Sequence, residues 1–335
     1  MSEMKKTLQY LFEHKTLSRE QARETLVNIS RGAYNDSEIT AFITVFLMRS
    51  ITIDELQGFR DALLELCVRI DLDGHETIDI VGTGGDGKNT FNISTLACFI
   101  VAGTGQKVAK HGNYGASSIS GSSNVMEQLG YVFKNDAGRL RKEVEEANIC
   151  FLHAPLFHPA LKAVGPIRKN LGLRTFFNML GPMVNPAFPK FQLVGVYNLE
   201  MARVYNYLLQ QAEGVFTIIH SLDGYDEISL TGDARIISNE GEKIMTPEQL
   251  GKRMVNPADI YGGNTVEEAA KLFEKILKVE GSWAQNAVVL ANAAMALHCT
   301  GVYKDYEGAY KAAVESLESR KAYQALQKLI SLQRS

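Results

Sequence analysis

The chain has 335 residues, of which 45% are hydrophobic, and a formal net charge of −3 at pH 7. This is enough apolar sequence for a large core and for two domains, whereas the weak negative charge argues against a nucleic-acid-binding or membrane-surface protein. The four cysteines form no CxxC pair, which predicts free thiols in a reducing, cytoplasmic compartment.

Residues 1 to about 70 have a purely helical pattern. Apolar side chains recur at helical spacing in 39–47 and in 56–67. The sequence S-x-x-Q from Ser18 and the sequence T-x-x-E from Thr52 predict capping boxes at two helix starts. The chain therefore begins with a bundle of helices.

From residue 77 the pattern changes to short apolar strands that alternate with helices. The predicted strands are 77–81, 107–109, 149–152, 192–197 and 215–221, with helices at 123–129, 136–147 and 200–211. This alternation is typical of a mostly parallel sheet.

Two other parts of the chain are predicted to be helical. Residues 158–185 interrupt the strand–helix alternation with helices at 161–171 and 174–180, and we expect this insertion to pack on the N-terminal helices. Residues 264–333 form the C-terminal helices, and the apolar stretch 283–297 is predicted to be buried.

The segment 77–95, TIDIVGTGGDGKNTFNIST, carries the strongest functional signal. Glycines from Gly82 to Gly87 separate the apolar strand from a helix that begins near Asn92. A strand, a glycine loop and a helix N-terminus present backbone N–H groups to phosphate, and glycine lets the backbone approach closely. The carboxylate of Asp86 would repel phosphate unless it faces sugar hydroxyls or a metal ion, which suggests a sugar phosphate with a divalent cation.

Two familiar nucleotide-binding patterns match this loop only in part. The pattern G-x-G-x-x-G needs an acidic residue roughly 20 positions downstream, where the chain has the basic sequence QKVAK (106–110). The P-loop pattern needs Ser or Thr after its lysine, and Asn89 follows Lys88 here. We therefore expect phosphate binding in neither standard way.

Two further segments could contribute to phosphate binding. The helix start NIST (92–95) offers backbone N–H groups to a pyrophosphate, and Ser94 could reach a metal ion, although ordinary helix capping is the alternative. Lys110 follows the second strand in the sequence KHGN (110–113), which leads into a stretch rich in glycine and serine, 114–124. These residues could bind phosphate oxygens, or they could form a surface loop.

Charged residues elsewhere suggest a metal-binding site and a site that binds the carboxylate of a ligand. Asp226 and Glu227 follow the strand 215–221 in the sequence DGYDE. Magnesium is commonly bound by one or two carboxylates together with substrate phosphate, and the Asp-Gly turn could bring these carboxylates together; a solvated turn is the alternative. Arg168, in the helical insertion, could bind a carboxylate with both guanidinium arms, or it could lie on the surface.

Together these segments resemble the anthranilate phosphoribosyltransferase family. The motifs GTGGD (82–86), NIST (92–95), KHGN (110–113), RTFFNMLGP-x-x-NP (174–186) and DGYDEISLTG (223–232) occur in the family's order and spacing. The resemblance implies the α/β fold class, with a small all-helical domain and a larger α/β domain around a mostly parallel central sheet. It assigns residues 1–70 and the insertion 158–186 to the helical domain, and residues 71–157 and 187–335 to the α/β domain.

The resemblance also implies a reaction, a cofactor and an assembly. The phosphoribosyl group of phosphoribosyl pyrophosphate (PRPP) would be transferred to the amine of anthranilate in tryptophan biosynthesis, without a covalent nucleophile. Two magnesium ions per monomer would assist. The protein would form a homodimer through the helical domain, and no nucleic acid or membrane is expected as a partner.

The family's functional residues carry over onto this sequence. The residues implied to hold PRPP are Gly82, Gly85, Asp86, Thr90, Asn92, Ile93, Ser94, Thr95, Lys110, His111, Gly112, Asn113, Tyr114, Gly115, Ala116, Ser117, Ser118 and Ser122. Gly82, Asn113 and Arg168 would contact anthranilate, with Arg168 facing its carboxylate. One magnesium ion would bind Ser94 and Glu227, and the second would bind Asp226 and Glu227.

Several positions depart from the family's usual sequence. Tyr114 stands where arginine is common, Ile119 where lysine is frequent, and His153 where phenylalanine is more usual, while GSSN (121–124) replaces a common GSAD. We expect these changes to alter the affinity and closure of the loop more than the reaction type.

Two alternative functions remain at this point. A nucleoside phosphorylase of the same fold would need no magnesium–pyrophosphate site, and the NIST and DE motifs argue against it. A non-catalytic paralogue that binds nucleic acid is disfavoured by the net charge of −3 and by the retained Arg168 and KHGN motif.

Overall fold

The computed structural model describes residues 2–115, 119–251 and 253–333. The chain divides into two compact units. The helical unit comprises Met1–Arg69 and Ala154–Pro186, and the α/β unit comprises Ile70–His153 and Ala187–Ser335. In the described ranges no helix is long and apolar enough to cross a membrane.

The strands all belong to the α/β unit. In chain order they are β1 (Thr77–Gly82), β2 (Lys107–Gly112), β3 (Ile149–His153), β4 (Phe191–Gly195), β5 (Val215–Ser221), β6 (Ala234–Ser238) and β7 (Gly241–Met245).

The helices fall in both units. In chain order they are α1 (Glu3–Phe12), α2 (Arg19–Ser30), α3 (Asp36–Met48), α4 (Ile53–Leu66), α5 (Ile93–Gly103), α6 (Ser122–Gln128), α7 (Ala137–Ala147), α8 (Ala154–Phe157), α9 (Pro159–Leu171), α10 (Phe177–Leu180), α11 (Leu199–Gln210), α12 (Pro247–Gly251), α13 (Val266–Leu277), α14 (Trp283–Cys299), α15 (Tyr306–Glu318) and α16 (Lys321–Ser331). Short 3₁₀ turns follow at Gly181–Met183 and Pro257–Ile260.

The described strands form one sheet of seven strands in the order β3-β2-β1-β4-β5-β6-β7. The first five strands in this order are parallel, and β6 and β7 add an antiparallel edge. The predicted fold class, a helical domain with a larger α/β domain around a mostly parallel sheet, is confirmed.

The structure corrects three local predictions. The strand predicted at 192–197 is β4, which ends at Gly195. The helix predicted at 174–180 begins only at Phe177, and the N–H of Thr175, which precedes it, donates to the side chain of Asn178. Trp283, predicted to be buried, is 42% exposed at the first turn of α14, whose remaining apolar length is buried.

The helical unit is built on aromatic packing and on helix caps. Phe42, Phe46 and Phe59 pack edge to face in its core, which is a favoured geometry for aromatic pairs. Gly58 lets α4 approach α2, because a Cβ at this position would lie 2.1 Å from the carbonyl oxygen of Arg19. The capping boxes predicted from Ser18 and Thr52 are both present.

The core of the α/β unit lies between the sheet and its helices. Helix α5 is buried along most of its length and packs against α14 and α16. A helix with apolar residues on all faces must be enclosed on all sides. The first turn of α5 is partly exposed at Ser94. The fold thus brings the N-terminus of a buried helix to the end of β1.

Candidate active site

The predicted phosphate loop lies at the switch point of the sheet. Strand β1 pairs with β2 on one side and with β4 on the other, so the chain order reverses direction at β1. In α/β sheets, ligands bind outside the carboxyl ends of strands at such a point. The glycine loop leaves β1 there, and Asp226 and Glu227 follow β5, a parallel strand that is separated from β1 by β4.

The glycine loop has a backbone conformation that needs its glycines. Gly84, Gly85 and Gly87 have φ values of +65°, +82° and +73°, a region in which residues with a Cβ are strained. The N–H of Gly84 donates to Oδ2 of Asp226 at 2.7 Å. The side chain of Asp86 accepts from the N–H of Lys88 at 2.9 Å and so turns back into the loop.

The segment 261–264, which the sequence analysis did not identify, holds the end of this loop at Asn89 and Thr90. Asn89 donates from its side chain to the carbonyl of Gly263 at 2.8 Å, and its own carbonyl accepts from the N–H of Gly262 at 2.8 Å. Thr90 forms a β-bridge with Tyr261. The sequence YGGN (261–264) has turn composition and no charge, so nothing in it indicated this role.

Asp226 lies against two glycines at the ends of neighbouring strands. A Cβ at Gly82 would lie 2.3 Å from Oδ2 of Asp226, and a Cβ at Gly195 would lie 1.5 Å from its carbonyl oxygen. The glycine at each strand end therefore makes room for this acidic residue. Gly82 was predicted as a ligand contact, whereas the steric role of Gly195 was missed.

The acidic pair is held in place by a buried asparagine that the sequence reasoning also missed. Asn292 of α14 accepts from the N–H of Ile228 at 3.0 Å and donates to the carbonyl of Ile228 at 2.8 Å. The hydroxyl of Ser221 donates to the carbonyl of Glu227 at 2.7 Å. A polar residue in the otherwise apolar sequence VVLANAAMAL (288–297) was the available signal.

The carboxylates at this point repel one another. Burial and the charge of Asp86 raise the pKa of Asp226 from 3.8 to about 7. Burial and the charge of Asp226 raise the pKa of Glu227 well above its usual range, and burial raises the pKa of Asp86. Carboxylates that lie close together and are shielded from water either take up a proton or bind a cation.

The N-terminus of α5 faces this acidic group. The N–H of Ser94 donates to Oε1 of Glu227 at 2.9 Å. Asn92 does not cap the helix with its side chain, which donates instead to the carbonyl of Ser120 at 3.0 Å. Ile93 and Thr95 are buried, so among the NIST residues Asn92 and Ser94 are the more exposed.

The KHGN motif ends β2 next to β1. Lys110 is buried and its Nζ donates to the carbonyl of Ile80 at 2.6 Å. The N–H of His111 donates to the carboxylate of Asp79 at 3.2 Å. Asn113 is exposed, and its carbonyl accepts from the N–H of Ser123 at 3.2 Å and from the Ser122 hydroxyl at 3.4 Å.

The base of the loop after KHGN is closed by Asn124. Its Oδ1 accepts from the N–H of Gly115 and from the N–H of Gly121, each at 3.0 Å. Tyr114 donates its hydroxyl to Glu127 at 2.6 Å and packs edge to face on His153. The departures from the family at Tyr114, Asn124 and His153 thus lie together at the loop base. Three predicted PRPP residues, Ala116, Ser117 and Ser118, lie outside the described residues.

Arg168 belongs to the helical unit, in the last turn of α9. Its guanidinium lies 5.3 Å from the ring centre of Phe177 and donates to Oδ1 of Asn178 at 3.3 Å. Burial lowers the pKa of Arg168. The predicted site residues of the α/β unit come together around β1, β2 and β5, and Arg168 is described within its own unit.

Comparisons with known proteins agree with this architecture. Residues 5–67 match the helical bundle domain of a glycosyl transferase family, and residues 74–323 match the a/b domain of the same family. An anthranilate phosphoribosyltransferase of Flavobacterium johnsoniae is 60% identical over 98% of this chain and 99% of its own length.

Solved structures of similar proteins share the fold over nearly the whole chain. Anthranilate phosphoribosyltransferase from Saccharomyces cerevisiae in complex with PRPP and Mg is 25% identical, with a TM-score of 0.91, and the match covers 99% of this chain and 98% of that one. The same yeast enzyme in complex with 4-fluoroanthranilate is 25% identical, with a TM-score of 0.84 and coverage of 94% and 93%. Since the sequence identity to the bacterial relative extends from end to end, the chain belongs to the anthranilate phosphoribosyltransferase family.

Proposed function

We propose that this protein transfers the phosphoribosyl group of PRPP to the amine of anthranilate, giving N-(5-phosphoribosyl)anthranilate and pyrophosphate in L-tryptophan biosynthesis. The observation that carries the proposal is the meeting of the glycine loop, the N-terminus of α5 and the Asp226–Glu227 pair at the switch point of the sheet. Membership of the family supplies the substrates, since similar enzymes are named for this reaction.

The PRPP site is proposed to consist of the loop residues around β1 and β2. The backbone N–H groups of the glycine loop and of α5 would bind the pyrophosphate, and Asp86 would accept hydrogen bonds from the ribose hydroxyls. Lys110 to Asn113, with Tyr114, Gly115 and Ser122, would contact the remaining phosphate oxygens. Arg168 of the helical unit would face the carboxylate of anthranilate, and Gly82 and Asn113 of the α/β unit would also contact anthranilate.

The residues at the acidic pair fit magnesium. Asp226 and Glu227 offer carboxylate oxygens beside the hydroxyl and N–H of Ser94, and burial with the nearby charges of Asp86 and Asp226 raises their pKa values. No cluster of three or more His, Cys, Asp or Glu side chains with metal-site geometry occurs in the described residues, and magnesium typically takes one or two carboxylates plus substrate phosphates. We assign one ion to Ser94 and Glu227 and a second to Asp226 and Glu227. Bound magnesium would neutralise charge on the departing pyrophosphate.

The protein's own contribution to the reaction is orientation and electrostatics. An aromatic amine is neutral and nucleophilic at pH 7, so the bond from nitrogen to ribose C1 can form as the bond from C1 to pyrophosphate breaks. The anilinium nitrogen that results is acidic and loses its proton to water without a strong base. Arg168 would orient the amine. The N–H groups of the glycine loop and of α5 would stabilise the charge that develops on pyrophosphate. The relatives do not favour a nucleoside phosphorylase or a nucleic-acid-binding paralogue.

The direct test is the fluorescence of anthranilate, which is lost when the amine is ribosylated. We expect the signal to fall when PRPP and magnesium are added together and to stay constant when either is omitted. A phosphorylase would instead release a base from a nucleoside in the presence of inorganic phosphate. Constant fluorescence with both substrates and magnesium would contradict the proposed function.

We expect Arg168→Ala to raise the KM for anthranilate by roughly tenfold to a hundredfold, because a charge-assisted hydrogen bond to the substrate carboxylate would be lost. The KM for PRPP should change little. Lys169→Ala is the matched control, since Lys169 is the next residue on α9 and is exposed. A change confined to PRPP saturation would show that Arg168 does not bind anthranilate.

The homodimer is proposed to form through the helical unit. Phe12 at the end of α1 is 62% exposed and Met48 at the end of α3 is 82% exposed, and α1 packs against α3. Exposed large apolar side chains on neighbouring helices often mark a protein–protein contact.

We expect Met48→Asp to convert a dimer to a monomer, because a buried charge without a partner is costly in an interface. The measurement is the molar mass by light scattering during gel filtration over a range of concentrations. Met254→Asp is the control, since Met254 is 59% exposed but belongs to the α/β unit. Equal masses for the wild type and both variants would place the interface elsewhere.

A further inference from the structure

A neutral amide, and not a carboxylate, orients the guanidinium of Arg168. Nη2 of Arg168 donates to Oδ1 of Asn178 at 3.3 Å, and the guanidinium carbon lies 5.3 Å from the ring centre of Phe177. Both partners belong to α10, which follows α9 after a short turn. The guanidinium is thus held by an amide dipole and by an aromatic face, and it keeps its full positive charge.

Asn178 is itself fixed by the fold of the turn. Its Oδ1 also accepts from the N–H of Thr175 at 3.1 Å, and its own N–H donates to the carbonyl of Thr175 at 2.9 Å. The adjacent Phe176 is buried and stacks on Phe59 of α4 with ring centres 4.5 Å apart. The amide oxygen therefore has a defined position in the helical unit before any ligand binds.

The choice of an amide at this position has a chemical consequence. A carboxylate would accept the same two hydrogen bonds, but it would also form an ion pair with Arg168 and compete with an anionic ligand. Burial lowers the pKa of Arg168, as expected for a guanidinium whose hydrogen bond within the described residues goes to an amide and not to a carboxylate.

We infer that Asn178 is a positioning residue that makes the Arg168 site selective for aromatic amines bearing a carboxylate. It aims the guanidinium and leaves its charge for the substrate. This inference rests on the proposed role of Arg168 and adds the residue that sets its specificity.

The test is Asn178→Asp, which keeps the shape and the acceptor and adds one negative charge. We expect the KM for anthranilate to rise roughly tenfold or more, while the KM for PRPP stays within about twofold, because an ion pair with Arg168 now competes with the substrate. The Tm should not fall. Inhibition by anthranilamide, in which a neutral amide replaces the carboxylate, should be nearly unchanged. The variant should therefore lose most of the wild-type preference for anthranilate over anthranilamide. A purely structural role would weaken both ligands equally.

A second variant covers the case in which Asn178→Asp does not fold. In Asn178→Leu the acceptor is lost without a new charge, so the KM for anthranilate should rise more than the inhibition constant of anthranilamide, while the KM for PRPP stays unchanged. An unchanged KM for anthranilate in either variant would overturn the inference. If Arg168→Ala also left that KM unchanged, the proposed function of Arg168 would fail first; if only Arg168→Ala raised it, the failure would concern Asn178 alone.

Discussion

Replacing Asp226 by Asn and Glu227 by Gln in one variant is expected to lower kcat by about a hundredfold or more and to abolish the response of the rate to magnesium. Both replacements keep the size of the side chain, which matters because Asp226 lies directly against Gly82 and Gly195. The amide oxygen of Asn can still accept from the N–H of Gly84, as Oδ2 of Asp226 does at 2.7 Å. The loss would therefore report charge and metal binding rather than packing.

The matched control for this variant is Asp223→Asn. Asp223 lies in the same turn but is exposed, and its carboxylate accepts from the hydroxyl of Thr231. We expect its magnesium titration, followed by anthranilate fluorescence, to match that of the wild type. If the double variant kept the wild-type dependence on magnesium, Asp226 and Glu227 would not be the metal ligands.

The parts of the fold that depend on local sequence were predicted well. Strand β5 has its predicted bounds, and β1 begins where the apolar run begins. The hairpin of β6 and β7 was missed, although the two isoleucines of ARIIS and the turn residue Asn239 after it were available signals. Strand β4 ends earlier than predicted, at Gly195, whose carbonyl accepts from the N–H of Thr83 at the start of the glycine loop.

The parts of the site that depend on contacts between residues far apart in the chain could not be predicted from the sequence. The roles proposed for Asp86 and Ser94 rest on residue type and spacing, which the motif displays. The steric role of Gly195, the hydrogen bonds of Asn292 to Ile228 and the bonds of Asn89 to the segment 261–264 join residues far apart in the chain. Glycine and asparagine are common in loops and helices for many reasons, so their types alone do not identify such partners.

Without magnesium, the charges that are proposed to bind the metal should destabilise the folded α/β unit. The pKa of Asp226 is raised from 3.8 to about 7, first by burial and then by the charge of Asp86. A carboxyl group whose pKa is higher in the folded state binds its proton more tightly there than in the unfolded chain. The free energy of unfolding therefore falls as the pH rises from about 4 to about 7, and the cost is complete above that range.

Asp226→Asn alone is accordingly expected to raise the Tm of the magnesium-free protein by several degrees at pH 8 and to change it little at pH 4. Magnesium should raise the Tm of the wild type at pH 8 more than that of the variant, since a metal that binds only the folded state stabilises it. Thermal unfolding followed by circular dichroism at both pH values, with Asp223→Asn as the exposed control, measures these shifts. A variant that was less stable than the wild type at pH 8 would mean that the hydrogen bonds of the Asp226 carboxylate outweigh its burial. A stabilised but inactive variant would instead show that the protein keeps the unfavourable buried charge of Asp226 because the reaction requires it.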